Sequence, residues 1–140
     1  MLNRIDHLGI AVENLEESIA AYTALGLELE GTEEVPEQKV SVAMFPCAES
    51  RIELLQSTDP EGPIGRFIAK RGPGIHHVAF GVDDIELTLE RLASNGVRLI
   101  DKEPRIGAGG AKIAFVHPSA TGGMLVEICE HTAGNPGGQE

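Results

Sequence analysis

Residues 5–29, IDHLGIAVENLEESIAAYTALGLEL, lie without gaps on residues 75–99, IHHVAFGVDDIELTLERLASNGVRL, at a constant offset of 70. Identities fall at Ile5/Ile75, His7/His77, Val12/Val82, Glu16/Glu86, Gly26/Gly96 and Leu29/Leu99. Beyond that window the offset drifts to 72 at Pro46/Pro118. It reaches 74 where Ile52-Glu53-Leu54 meets Val126-Glu127-Ile128. Drift in steps of two is what small loop insertions between matching strands produce. A 70-residue period with only two copies is not a solenoid. It predicts a closed domain built from two like modules.

Each copy reads as a strand, a helix and three further strands. Residues 3–12 carry the branched apolar residues of a strand. Asn14 offers a helix N-cap with Glu17 three positions on, and Leu15, Ile19, Tyr22 and Leu25 recur at helical spacing. Gly26 stands where a helix-ending glycine belongs. The second copy repeats this with Asp84, the stripe Ile85, Leu89 and Leu92, and Gly96. Strands are expected near 27–35, 38–45 and 50–56, and again near 97–101, 111–116 and 124–130. The turn cluster Asp59-Pro60-Glu61-Gly62-Pro63 leads into a short helix over 64–71. The expected organisation is one α+β domain over 1–131. Module one spans about 3–56, a connecting helical segment about 57–73, and module two about 75–130. A Gly/Pro-rich tail at 132–140 is expected to be disordered.

The chain of 140 residues suits one domain, and 41% hydrophobic residues suffice for one core. Eleven basic against twenty-two acidic residues leave a formal charge of -11, which repels phosphate backbones. Aromatics are 4% and Trp is missing, so the stacking platforms of single-strand binders are lacking too. Nucleic acid is therefore not an expected partner. No apolar run approaches the ~20 residues of a membrane span, and the first residues have no signal-peptide layout. Two cysteines, Cys47 and Cys129, make no disulfide framework. A cytoplasmic protein with reduced thiols is expected, with Cys129 filling a core position.

Four residues fall into register across the repeat: His7, Glu53, His77 and Glu127. By strand alternation His7 shares a face with Ile5, Gly9 and Ala11, and His77 with Ala79 and Gly81. Small neighbours leave room on that face, while Ile10, Val12, Phe80 and Val82 point towards the helices. Glu53 and Glu127 each sit between apolar neighbours, where an unpartnered carboxylate is costly to bury. Singly, a strand histidine or glutamate is more often structural. Jointly, two imidazoles and two carboxylates at equivalent positions suit a divalent cation, and such donors admit Co²⁺, Mn²⁺, Ni²⁺ or Zn²⁺. His76 alternates to the other face and is expected to pack, and His131 falls at the fraying end. Lys112 after Gly109-Gly110 lacks the ending and context of a phosphate loop. Arg66, Lys70 and Arg71 either meet ligand phosphates or complement a helix end.

The strand-to-helix entries after His7 and His77 and the paired I-E-L and V-E-I strands resemble the vicinal oxygen chelate (glyoxalase-like) superfamily. Within it the chain resembles the methylmalonyl-CoA epimerase family over about residues 3–130. The segments that carry this are Pro36-Glu37-Gln38, Arg51 to Leu55, Gly74-Ile75-His76-His77, Gly107 to Lys112, Phe115 to Pro118, and Gly122 to Glu127. The resemblance implies paired βαβββ modules forming a cupped sheet around one divalent metal ion, with cobalt or manganese favoured. It places the metal ligands on His7, Glu53, His77 and Glu127, with Glu53 standing where some members have Gln. It makes Glu37 and Glu127 the two catalytic carboxylates, although Glu37 by itself reads as a solvated turn residue. It also implies an acyl-CoA substrate, a homodimer and no organic cofactor. Other readings stay open: a glyoxalase-type isomerase, an extradiol dioxygenase, or a metal-free ligand-binding protein on the same fold.

Overall fold

Alternation of branched apolar and small residues makes Arg4–Ala11 a strand (β1), and Asn14 stops it by capping a helix. The Asn14 side chain accepts a hydrogen bond from the Glu17 N–H at 2.9 Å, and helix α1 follows over Leu15–Ala24. Gly26, at φ +108°, takes the left-handed turn that ends it. The same logic runs again 70 residues later. Strand β5 (Gly74–Gly81) leads to Asp84, which accepts from the Leu87 N–H at 3.0 Å and opens α3 (Ile85–Ser94). Gly96, at φ +81°, closes it. The remaining elements are β2 (Gly31–Val35), β3 (Val40–Cys47), β4 (Ser50–Ser57), α2 (Pro63–Arg71), β6 (Arg105–Ile106), β7 (Lys112–Val116) and β8 (Leu125–Glu130). The computed structural model describes residues 2–131, so the expected disordered tail at 132–140 lies outside the described residues.

The chain forms two compact units. One contains residues 7–76, the other residues 77–131 together with the N-terminal residues up to Asp6. In the first unit the strand order is β2-β3-β4-β1, antiparallel except that β1 and β4 run parallel. In the second it is β5-β8-β7-β6, with β5 and β8 the parallel pair. Each parallel pair requires a crossover, and α1 and α3 begin those crossovers.

The cores lie where the helices meet the sheets. In the first unit Val12, Ala43, Phe45 and Leu54 are buried beneath Leu15, Ile19 and Tyr22 of α1. In the second, Val82, Ala114, Val116, Val126 and Ile128 pack with Ile85 and Leu89 of α3. Burying a side chain of this size contributes about 1.5–3 kcal/mol. Leu25 leaves the expected stripe, because it is the α1 cap residue and is 77% exposed. Leu27 packs in its place.

The expected strand at 97–101 does not form. Only Leu99 bridges to Val116. The Asp101 side chain accepts the Phe115 N–H at 2.9 Å, replacing a ladder bond, and Pro104 has no N–H to offer. Pairing with β7 resumes only in the two-residue β6.

Candidate metal centre and its surroundings

Register confirms the internal alignment at the positions that carry chemistry. Gly9 pairs with Glu53 in the first unit, and Ala79 pairs with Glu127 in the second. A parallel neighbour points to the same side of the sheet, which sets each glutamate on the face of its module's histidine. All four side chains are buried, at 4–5% exposure.

In the first unit His7 Nε2 lies 3.5 Å from Glu53 Oε1. The other carboxylate oxygen, Oε2, accepts from Arg51 Nη2 at 3.0 Å, and Arg51 is itself buried. In the second unit His77 Nε2 lies 3.2 Å from Glu127 Oε1. The His77 ring stands edge-on to Phe115, with centroids 5.9 Å apart. Imidazole nitrogen and carboxylate oxygen bound to one ion at about 2.0–2.2 Å each must lie roughly 3–3.5 Å apart. Both couples meet that spacing, and their hard and borderline donors suit a divalent cation. Within each unit, the couple therefore has donors and a spacing that fit a divalent ion.

Glu37 is exposed on the 3₁₀ turn Pro36–Gln38, which Lys39 closes in the left-handed conformation at φ +56°. His76 behaves as alternation predicts, packing edge-on against Phe67 of α2 with ring centroids 5.0 Å apart. Arg66, Lys70 and Arg71 are exposed, and Arg71 lies over the Phe67 ring at 5.7 Å. Lys112 forms a surface pair with Glu86 at 3.2 Å.

His131 is not frayed. Its Nε2 lies 2.8 Å from Asp6 Oδ1 and 3.8 Å from the buried Cys129 sulfur, with the side chain 4% exposed. Asp6 also accepts from Arg4 at 3.0 Å, so the N-terminal residues hold the end of β8. Pattern reading passed over two further features. Gln56 accepts the first N–H of α1 at 2.6 Å, and Glu130, at the equivalent place, accepts the first N–H of α3 at 2.8 Å. Arg51 was legible in principle, since it lies two residues before Glu53 on the same face.

Comparison with known proteins places these features among relatives. Residues 6–115 match the model of the Glyoxalase/Bleomycin resistance protein/Dioxygenase superfamily. The "Uncharacterized protein YqjC" of Bacillus subtilis is 42% identical over 130 residues, covering 92% of this chain and 93% of its own length. The ethylmalonyl-CoA/methylmalonyl-CoA epimerase of Cereibacter sphaeroides is 37% identical over 131 residues, covering 91% and 98%. The crystal structure of methylmalonyl-CoA epimerase from Mycobacterium tuberculosis superposes with a TM-score of 0.92 at 35% identity, covering 95% of this chain and 91% of that one.

Proposed function

Because the chain belongs to the Glyoxalase/Bleomycin resistance protein/Dioxygenase superfamily, we propose that it is an isomerase inverting C2 of methylmalonyl-CoA. The observation that carries this reading is the recurrence of a buried His–Glu couple at equivalent register in both modules, in a chain whose epimerase relatives match it nearly end to end. The reading takes the two modules as one functional domain over residues 1–131. His7, Glu53, His77 and Glu127 together hold one divalent ion, cobalt or manganese in the first instance. When bound, the ion supplies Lewis-acid stabilisation of the negative charge that develops on the thioester oxygen.

The rest is proton handling by the chain's own residues. C2 lies between a thioester carbonyl and a carboxylate, and its proton is only weakly acidic. Inversion removes that proton on one face and delivers another on the opposite face. Glu127 serves one face and Glu37 the other, each the base in one direction and the acid in the reverse. Glu37 is exposed, so its carboxylate is open to an incoming substrate. Two carboxylates in the ligand set disfavour a dioxygenase, whose iron site takes two His and one carboxylate. No helix among the described residues is long and apolar enough to cross a membrane. The reading also takes the protein as a homodimer. A concentration-independent 14.9 kDa species in sedimentation contradicts the dimer.

The test is to incubate each epimer with Co²⁺-loaded Glu37→Gln protein in D₂O and to score label and configuration separately. Inversion is expected to fall by ~10²–10⁴ in both directions. The epimer whose proton faces Glu127 still exchanges it, without inverting. Near-parental inversion of both epimers excludes Glu37 as a base. Turnover of methylglyoxal with a thiol, and none of the CoA ester, replaces the reading with a glyoxalase.

A further inference from the structure

A second group of metal-ligating side chains lies within one unit and takes no part in the centre described above. Cys129 and His131 stand two residues apart at the end of β8 and share a face of the chain there. Asp6 of β1 belongs to the same unit and reaches the same point. One ligand atom from each, a carboxylate oxygen, a sulfur and an imidazole nitrogen, come within 4.8 Å of one another. His131 Nε2 is 2.8 Å from Asp6 Oδ1 and 3.8 Å from Cys129 Sγ. Asp6 is 2% exposed, Cys129 1% and the His131 side chain 4%. The other ring nitrogen of His131, Nδ1, is buried with no hydrogen-bond partner among the described residues. Hydrogen bonding thus leaves half of this ring unsatisfied, and its contacts gather at Nε2. A buried polar atom in that state calls for an explanation, and a nearby ion is one.

Duplication does not account for the group. The ladder that pairs Gly81 with Cys129 pairs Ala11 with Leu55 in the first module, so Leu55 stands where Cys129 does. By the same offsets Ser57 stands for His131, and His76 for Asp6. A contact needed only to close a βαβββ module would recur, and this one does not. Gly81 also makes room for it. A Cβ there would lie 3.0 Å from the Arg4 guanidinium carbon, and Arg4 in turn donates to Asp6 Oδ1 at 3.0 Å.

We propose that Asp6, Cys129 and His131 form a second cation site, for a thiophilic divalent ion of the Zn²⁺ class, between the first and last strands. The donor set is one sulfur, one imidazole nitrogen and one carboxylate oxygen, whereas His7, Glu53, His77 and Glu127 offer no sulfur. A thiolate selects zinc over hard ions such as Mg²⁺ or Mn²⁺. The thiol proton leaves to solvent as the ion enters. In tetrahedral coordination, with about 2.0 Å to nitrogen and oxygen and about 2.3 Å to sulfur, the N–S edge is roughly 3.6 Å and the N–O edge roughly 3.3 Å. The first is close to the separation already present. The second requires Nε2 and Oδ1 to part by about 0.5 Å, exchanging one hydrogen bond for two coordinate bonds. Arg4 stays as the outer partner of the carboxylate, and outer partners of this kind orient ligating carboxylates. Three protein ligands leave a fourth position for water.

The test reads the sulfur directly. A thiolate bound to Co²⁺ gives an intense near-ultraviolet charge-transfer absorption that nitrogen and oxygen ligands do not give. Metal-free Cys47→Ser protein, which lacks the exposed thiol, is titrated with Co²⁺ and then with Zn²⁺. Two ions per chain are expected, one of them raising the thiolate band, and Zn²⁺ should bleach that band by displacement. Adding Cys129→Ser should abolish the band and remove one equivalent of metal. His131→Gln should weaken the band-forming step by more than roughly tenfold. His7→Ala should lose the other ion and keep the band. The Cys47→Ser titration decides the matter even if the Cys129 variant does not fold. Saturation with Co²⁺ and no thiolate band overturns the proposal. So does a band that survives Cys129→Ser, or one that forms as readily in His131→Gln. A single ion that carries the band upholds this site and removes the metal centre proposed above. A single ion without the band does the reverse.

Discussion

The two modules share a plan and differ in where they spend their polarity. The first has a half-buried helix, a full-length β2 ladder and a buried Arg51–Glu53 pair. The second has a helix with Ile85, Thr88 and Leu89 buried, a β6 ladder reduced to two residues, and a Glu127 whose strand offers no such cation. Duplication preserved the frame that aims a histidine and a glutamate at one face. It did not preserve what surrounds them. The difference teaches that equivalent positions need not keep equivalent neighbours along their own strands.

The most severe way to break the comparison is to remove a histidine from either side. His7→Ala and His77→Ala should each weaken Co²⁺ binding by more than roughly a hundredfold, read by calorimetry or elemental analysis. His76→Ala, on the other face, should not. Next comes the contrast between the two glutamates. With Co²⁺ raised to saturation, Glu53→Gln should regain epimerisation, whereas Glu127→Gln should remain ~10²–10⁴ below the parent. Equal recovery of both removes Glu127 as a base. A packing comparison follows at equivalent positions. Ile85 is fully buried and Leu15 half-buried, so Ile85→Ala should cost about 2–5 kcal/mol in denaturant unfolding and Leu15→Ala clearly less.

Smaller still are the helix caps. Asn14→Ala and Asp84→Ala should each lose about 1 kcal/mol, and similar values would show that the duplicated cap kept its strength. The smallest effects belong to two exposed ion pairs that titrate at opposite ends of the pH scale. The Glu61 backbone N–H, and then Lys39, hold the Asp59 carboxyl below its usual range. Glu86 raises Lys112 above its own. The Asp59 contribution is therefore present above the ordinary carboxylate range and fades as pH falls below about 4. The Lys112 contribution is present below the ordinary lysine value and fades as pH rises above about 10. Asp59→Asn should flatten only the acid limb of a Tm–pH curve, and Lys112→Gln only the alkaline limb.

Much of this was legible in one dimension because the repeat supplies its own control. His7 and His77, with Glu53 and Glu127, stand out by recurring at positions that register later proved equivalent. The caps at Asn14 and Asp84 were legible for the same reason, since capping is local chemistry within four residues. Contacts that join distant positions through side chains were not. The Asp6–His131 tie spans 125 positions, and nothing in the composition near His131 announces it. The absent strand at 97–101 escaped because the Asp101 carboxylate takes a bond that strand propensity assigns to backbone. Arg51 escaped for a different reason. Its meaning lies in a departure from the repeat, and a search for likeness passes over what is unlike.

The parallel pairing of β1 with β4 and of β5 with β8 sets a timetable for the nascent chain. His7 cannot meet its carboxylate until residue 53 has been made, and His77 must wait for residue 127. At ribosomal speeds of about 5–20 residues per second, the second event trails the first by roughly 4–15 s. For that interval the first couple has to live without the second. Arg51 is translated two residues ahead of Glu53, so the counter-charge is already in the strand when the carboxylate arrives. Glu127 has no such escort from its own strand, and it arrives last.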